Sequence, residues 1–166
     1  MTGDGAGLEA YASERRRLLA EAPPGTVAAA RLAQLTDEAV ATGVAAALPQ
    51  SERPFAIVAL GGYGADRLLP GSDIDLLILA DASPSELDPL TRAVLYPLWD
   101  MGLKVGHQVR SPRDHRRMVR EDRDTLTASL TARFVAGDGS LANRTLGAVV
   151  EWAHRHRVGV AQELRE

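Results

Sequence analysis

The sequence predicts an α/β fold: a small sheet with helices flanking it at both ends. Three observations predict it. Residues 1–50 carry helical periodicity and no strand-like run. Three short apolar runs then alternate with segments that open on helix-start signals. After the third run the chain again reads as helix.

The elements follow in order. Residues 1–7, MTGDGAG, are glycine-rich and read as disordered. Leu8 to Ala22 reads as a helix with a basic centre, Arg15-Arg16-Arg17, and PPG at 23–25 breaks it. Thr26 is placed to cap a second helix, whose apolar positions are Val27, Leu32, Leu35, Ala39 and Val40. It runs to about Leu48 and ends at Pro49. Phe55 to Leu60 is a nearly continuous apolar run and reads as a buried strand; Asp73 to Leu79 is the second strand. SPSE at 83–86 combines a serine cap, proline at the first position and a capping-box glutamate. The helix it opens runs to about Met101 and stops at Gly102. Leu103 to Val109 is the third strand, and SPRD at 111–114 opens another helix. Thr125 to Val135 reads as helical, GDG at 137–139 as a turn, and a last helix begins at Leu141. That helical pattern meets Glu166 without a stop signal, as expected of a fragment or of a helix that packs on a partner. The organisation expected is a tail and helices over 1–50, a strand-bearing core over 51–111 and a helical attachment, truncated on the fragment reading, over 112–166.

Composition narrows the function classes. A chain of 166 residues with 45% hydrophobic and 25% charged residues fits one globular domain. Without cysteine there is neither a disulfide nor a thiolate metal site, so a metal must be held by oxygen or histidine. No apolar run approaches the ~18 residues of a membrane span, and the N-terminus carries no apolar signal core. A cytoplasmic protein with no membrane partner is expected. The net charge of −3 gives no general attraction to nucleic acid. Lys104 stands against eighteen arginines, a bias that strips weight from any lone arginine.

The chemistry concentrates in ALGGYGADRLLPGSDIDLLILAD, residues 59–81. Gly61, Gly62 and Gly64 leave the turn after the first strand bare, so backbone N–H groups can approach a phosphate. Asp73 and Asp75, two apart on a strand, share one face; Ile74, Leu76 and Ile78 take the other. Two carboxylates ~6–7 Å apart along a strand can converge on magnesium. Gly-Gly alone is usually a turn and Asp-x-Asp alone a solvated strand end. The combination of apolar strand, Gly-Gly, ten residues and Asp-apolar-Asp opening a second strand is far more specific.

That combination resembles the nucleotidyltransferase fold of the DNA polymerase β superfamily, and is more closely similar to the N-terminal domain of the PII uridylyltransferase family. GGYG at 61–64, Pro70 and SDIDLLIL at 72–79 match that family's signature. LWDMGLKVGHQVR at 98–110 and DTLTASLTARFVAGD at 124–138 extend the likeness, which covers roughly residues 55–140. The resemblance implies a small mixed sheet of the nucleotidyltransferase fold with flanking N- and C-terminal helices, the core lying over 51–111. It implies Gly61 and Gly62 against the nucleotide phosphates, Ser72 beside the metal site, and Asp73 and Asp75 as catalytic ligands of Mg2+. The implied reaction moves a nucleoside monophosphate from UTP, or ATP, to a tyrosine hydroxyl on a PII-type nitrogen-regulatory protein.

Two places depart from the family pattern. Arginine usually follows GGYG and glutamate stands two positions on; here those places hold Ala65 and Arg67. This leaves open a non-catalytic nucleotide-binding module with a degenerate site. A nucleotidyltransferase with another protein or RNA acceptor also stays open. The superfamily's third carboxylate has no counterpart in LKVGHQVR, where Gln108 takes the corresponding place. The His-Asp dyad of the family's nucleotide-removing half is missing, so that activity is not expected. Arg113, Arg116, Arg117 and Arg120 form a helical stripe, read as a solvated face or as a docking surface for acidic groups. His107 is expected to pack within its strand, and Trp99 and Trp152 against core or helices.

Overall fold

The computed structural model describes residues 4–21, 23–50 and 53–156. Two helices lead, α1 (Asp4–Glu21) and α2 (Gly25–Ala47), followed by a 3-10 turn. Helix α1 already starts at Asp4, inside the stretch read as disordered, while residues 1–3 lie outside the described residues. Pro24, not Thr26, stands at the N-cap of α2. The first three strands are β1 (Phe55–Ala59), β2 (Ile74–Ala80) and β3 (Val105–Arg110). Between β1 and β2 the GGYG segment forms a single helical turn, α3 (Gly61–Gly64).

The β2–β3 connection starts later than expected. Ser83 and Glu86 make their capping-box bonds, with Ser83 N donating to Glu86 Oε2 at 2.7 Å. The chain nonetheless turns before α4 (Asp88–Leu90), whose first turn holds Pro89. A π turn over Thr91–Leu95 separates α4 from α5 (Tyr96–Asp100). Pro97 accounts for the wider turn: it has no N–H to return to Ala93, and its ring would strike that carbonyl in an α register. The Ala93 carbonyl instead lies against Gly43 of α2, with no room for a Cβ there.

After β3 come α6 (Pro112–Glu121), α7 (Arg123–Leu130), β4 (Arg133–Gly137) and α8 (Gly139–Arg155). Ser111 caps α6 as expected, accepting from Asp114 N at 3.1 Å. The helix expected over Thr125–Val135 ends at Leu130, and its remainder is a fourth strand. Leu126, Leu130 and Phe134 sit four apart and imitate a helical stripe. Pairing of β4 with β1 overrides that local pattern.

The sheet order is β3-β2-β1-β4; β1 runs antiparallel to β2 and β4, and β2 parallel to β3. It is therefore a small mixed sheet with flanking helices, as the resemblance implies. Both faces of β1 and β2 are covered, which explains their continuous apolar runs. Ile57, Ile74, Leu76 and Ile78 pack with Leu32, Val40 and Val44 of α2 and with Leu95 and Leu98. Ala56, Val58, Leu77 and Leu79 face Ala142 of α8. Val119, Leu126 and Val149 join α6, α7 and α8 in a third cluster, with Trp152 against it.

Candidate active site

The ladder between β1 and β2 runs one bond beyond β1: Leu60 N donates to Asp75 O at 3.0 Å. The GGYG turn therefore begins beside the second carboxylate. Gly61 adopts φ +56°, and a Cβ there would come 3.6 Å from Asp75 Oδ2. On the other flank Asp75 pairs with Gly106 of β3, where a Cβ would lie 2.9 Å from Asp75 Oδ1. Asp75 thus stands between two glycines, and a side chain at 106 would displace it. Gly106 was not singled out by the sequence reading, although a glycine inside a strand signals such a close approach.

Asp73 and Asp75 are exposed while Ile74 between them is buried, as strand alternation requires. Burial raises the Asp75 carboxyl above its ordinary value, and the charge of Asp73 raises it further. Gly62 is exposed beside Gly61, its nearest neighbour for an added Cβ being Arg67 O at 3.5 Å. Ser72 is also exposed, but lines a separate pocket of about 100 Å³ with Ile74 and Lys104. The structure brings Asp75 beside Gly61, with Asp73 two residues before it; of these residues only Asp75 lines the cleft that reaches β3, and Ser72 lines the separate pocket.

That cleft, about 380 Å³, reaches from Leu60 at the end of β1 past Asp75 to Gln108 and Arg110 of β3, and is closed by Asp122, Asp124 and Thr125. Gln108 lies opposite Leu77, on the face that carries Asp75. Arg110 Nη1 donates to Thr125 Oγ1 at 3.4 Å. Asp122 caps α7 by accepting from Thr125 N at 2.8 Å; these Thr125 bonds hold its carboxyl below the ordinary range. Behind this wall His115 is fully buried and near Ser129, Nε2 to Oγ 3.3 Å. Burial, with Arg110 and Arg116 nearby, pushes its imidazole down to about 4.

The GGYG turn is braced from below. Tyr63 is buried, and its hydroxyl donates to Asp37 Oδ1 of α2 at 2.6 Å. Burial and the Asp37 charge push that phenol far above its usual range. Arg133, the first residue of β4, donates to Asp37 Oδ2 at 2.6 Å and pairs with Asp66 at 3.0 Å. Thr131 Oγ1 donates to Gly61 O at 3.0 Å. A Cβ on Gly64 would sit 2.5 Å from Thr131 O and 2.8 Å from Ala59 O. The sequence reading missed Asp37 and missed the position of Arg133; their partners are 26 and 96 residues away along the chain.

β3 is an edge strand, so His107 is exposed and lies 5.7 Å from the Trp99 ring rather than packed in the sheet. Trp99 is itself 37% exposed and donates to Val105 O at 3.2 Å. Ala65 and Arg67 close the GGYG turn, and Arg67 is exposed with no side-chain hydrogen bond among the described residues.

Known proteins resemble this chain in sequence. A 36% identical stretch of 148 residues relates 87% of the chain to a bifunctional uridylyltransferase/uridylyl-removing enzyme of Streptomyces coelicolor, and covers 18% of that enzyme. Enzymes of the same name from Erythrobacter litoralis and Bradyrhizobium sp. match at 48% over 95 residues and 39% over 143. These matches take in 55% and 81% of the chain, and 10% and 15% of the enzymes. The chain thus spans less than a fifth of the length of these relatives. The family described as nucleotidyltransferase domain matches residues 44–127, which contain β1, the GGYG turn, both carboxylates and β3. On that match, across half of its length, the chain belongs to the nucleotidyltransferase domain family.

Proposed function

We propose that this chain transfers a nucleoside monophosphate from UTP or ATP to a hydroxyl on a PII-type signalling protein, with magnesium at Asp73 and Asp75. The observation that carries the reading is the position of Asp75: one flank against Gly61, the other against a cleft. A triphosphate resting on Gly61 and Gly62 would lie on the β1 side of the carboxylates. The β3 end of the cleft is left for the incoming hydroxyl, opposite the departing pyrophosphate. Transfer forms a bond from the hydroxyl oxygen to the α-phosphorus, breaks the bond to pyrophosphate, which leaves, and releases the hydroxyl proton to solvent.

The donor set suits magnesium. Both ligands are hard carboxylate oxygens on one strand face, and the raised Asp75 carboxyl marks a charge that lacks compensation in the protein itself. Among the described residues no group of three or more His, Cys, Asp or Glu is arranged as a metal site. Phosphate oxygens and water would complete the shell. When bound, magnesium neutralises phosphate charge and orients the α-phosphorus. The chain's own work is positioning: the bare GGYG turn admits the phosphates, and Asp73 and Asp75 fix where the charge gathers.

The uridylyl group is supported by the name of the relatives, and the PII acceptor by the resemblance of the GGYG and SDID motifs. A second reading, a nucleotide-binding module without turnover, is favoured by Ala65 standing where the family carries arginine. Incubation with magnesium, each labelled triphosphate and a PII-type protein separates them. Label on the PII-type protein is expected. Bound triphosphate without label would establish the module, and label on another acceptor would replace PII.

A further inference from the structure

We infer that Arg133 and Asp37 are positioning residues for the GGYG turn, setting the height of Gly61 and Gly62 against the carboxylates. This rests on the nucleotide-binding reading of that turn given above. The turn has little that could hold it by itself. It is four residues long, three of them glycine, and Gly61 occupies the left-handed region. Its one large side chain, Tyr63, points away from the cleft to the Asp37 carboxylate.

Arg133 engages that carboxylate with both guanidinium nitrogens, Nη1 at 2.6 Å and Nη2 at 3.2 Å. The same Nη2 donates to the Tyr63 carbonyl at 3.4 Å, and the guanidinium lies 5.6 Å from the Tyr63 ring centre. A fork of this kind fixes direction as well as distance, which an ammonium does not. Arg133 is rigidly placed, since it pairs with Ala59 at the end of β1, two residues before the turn. Asp66, at φ +55° just past the turn, meets the same guanidinium at 3.0 Å. Entry, side chain and exit of the turn are thereby referred to one residue of β4, the entry through its backbone and the rest through its guanidinium. A bare backbone cradle is only as accurate as its support, and a displacement of about 1 Å can cost roughly 100-fold in rate.

The test compares the full chain with Arg133→Lys, Arg133→Met and Tyr63→Phe, the last a variant that removes one hydroxyl. Val149→Ala, in the distant α6–α7–α8 cluster, serves as a destabilised control. Two quantities are read: magnesium-dependent affinity for UTP and ATP, and amide exchange of Gly64 and Ala65, which donate to Leu60 O and Gly61 O. Expected is a loss of triphosphate affinity of about 10-fold in both Arg133 variants. Exchange at Gly64 and Ala65 should quicken while the β1 and β2 amides stay protected. Tyr63→Phe should shift both in the same sense by less, and Val149→Ala should shift neither. Unchanged affinity with unchanged exchange at the turn would overturn the inference. So would a loss in Val149→Ala equal to that in Arg133→Met, since support would then be general stability. If the unaltered chain bound no triphosphate, the functional reading would fall. Exchange at Gly64 and Ala65 would then still decide whether Arg133 holds the turn.

Discussion

At Asp75 the ionised carboxylate is disfavoured by burial and by the charge of Asp73. A carboxyl raised in the folded state stabilises the fold when protonated, so stability falls as pH rises through that raised value. Asp75→Asn should therefore melt slightly above the parent near neutral pH without metal. The gain should stay below about 1 kcal/mol, because the site is open to solvent. It should shrink as pH falls through the raised value; melting curves across pH check both. An Asp75 that braced the fold would give the opposite sign. The glycines separate along similar lines. Gly64→Ala forces a Cβ onto two backbone carbonyls and should cost about 1–3 kcal/mol in a denaturant titration. Gly62→Ala meets nothing closer than 3.5 Å and should leave stability near that of the parent while weakening triphosphate binding. Such residue-scale features were legible in the sequence because spacing alone carries them: Gly61, Gly62, Asp73 and Asp75 lie within one strand–turn–strand. The Tyr63–Asp37–Arg133 contacts were not, since only tertiary packing brings α2 and β4 to one phenol.

α8 begins at Gly139, capped by Asp138, inside the segment read as a turn, and only the start of α6, where Ser111 bonds locally, was legible as a cap. β4 was not legible, because its Phe134 continues a four-residue spacing and its true partner, β1, lies far back in the chain. The π turn follows locally from Pro97, but the seat of the Ala93 carbonyl against Gly43 of α2 lies across the core and was hidden for the same reason as β4. Where α6 meets α7, His115 is buried as the neutral ring and held down at about 4. A histidine lowered in the folded state leaves stability intact above its unfolded value near 6.5. Stability is then lost progressively as pH falls from there to about 4. The loss amounts to roughly 3 kcal/mol for a shift of this size. His115→Gln keeps a hydrogen-bonding side chain for Ser129 but does not titrate. Its stability should fall less steeply over that window in denaturant titrations at stepped pH. An unchanged slope would assign the acid sensitivity to other groups.

Across the described residues, the sheet places Asp75 on β2, with Asp73 just before it, where β1, β2 and β3 meet beside the bare turn and the cleft. No helix among the described residues is long and apolar enough to cross a membrane. The α/β class, the first three strands and the family were legible from apolar runs and two motifs. The support of the site was not, because it is built from the helices and the strand outside them. This junction is the proposed magnesium–triphosphate site. Thermal melts of the chain and of Asp75→Asn, each with magnesium, with triphosphate and with both, test it most directly. At a ligand concentration 100-fold above Kd the parent should gain about 2.7 kcal/mol, several degrees in Tm, only when magnesium and UTP or ATP are present together. Asp75→Asn should show no such gain. A parent that does not respond to any triphosphate, or a variant that responds equally, would contradict the account.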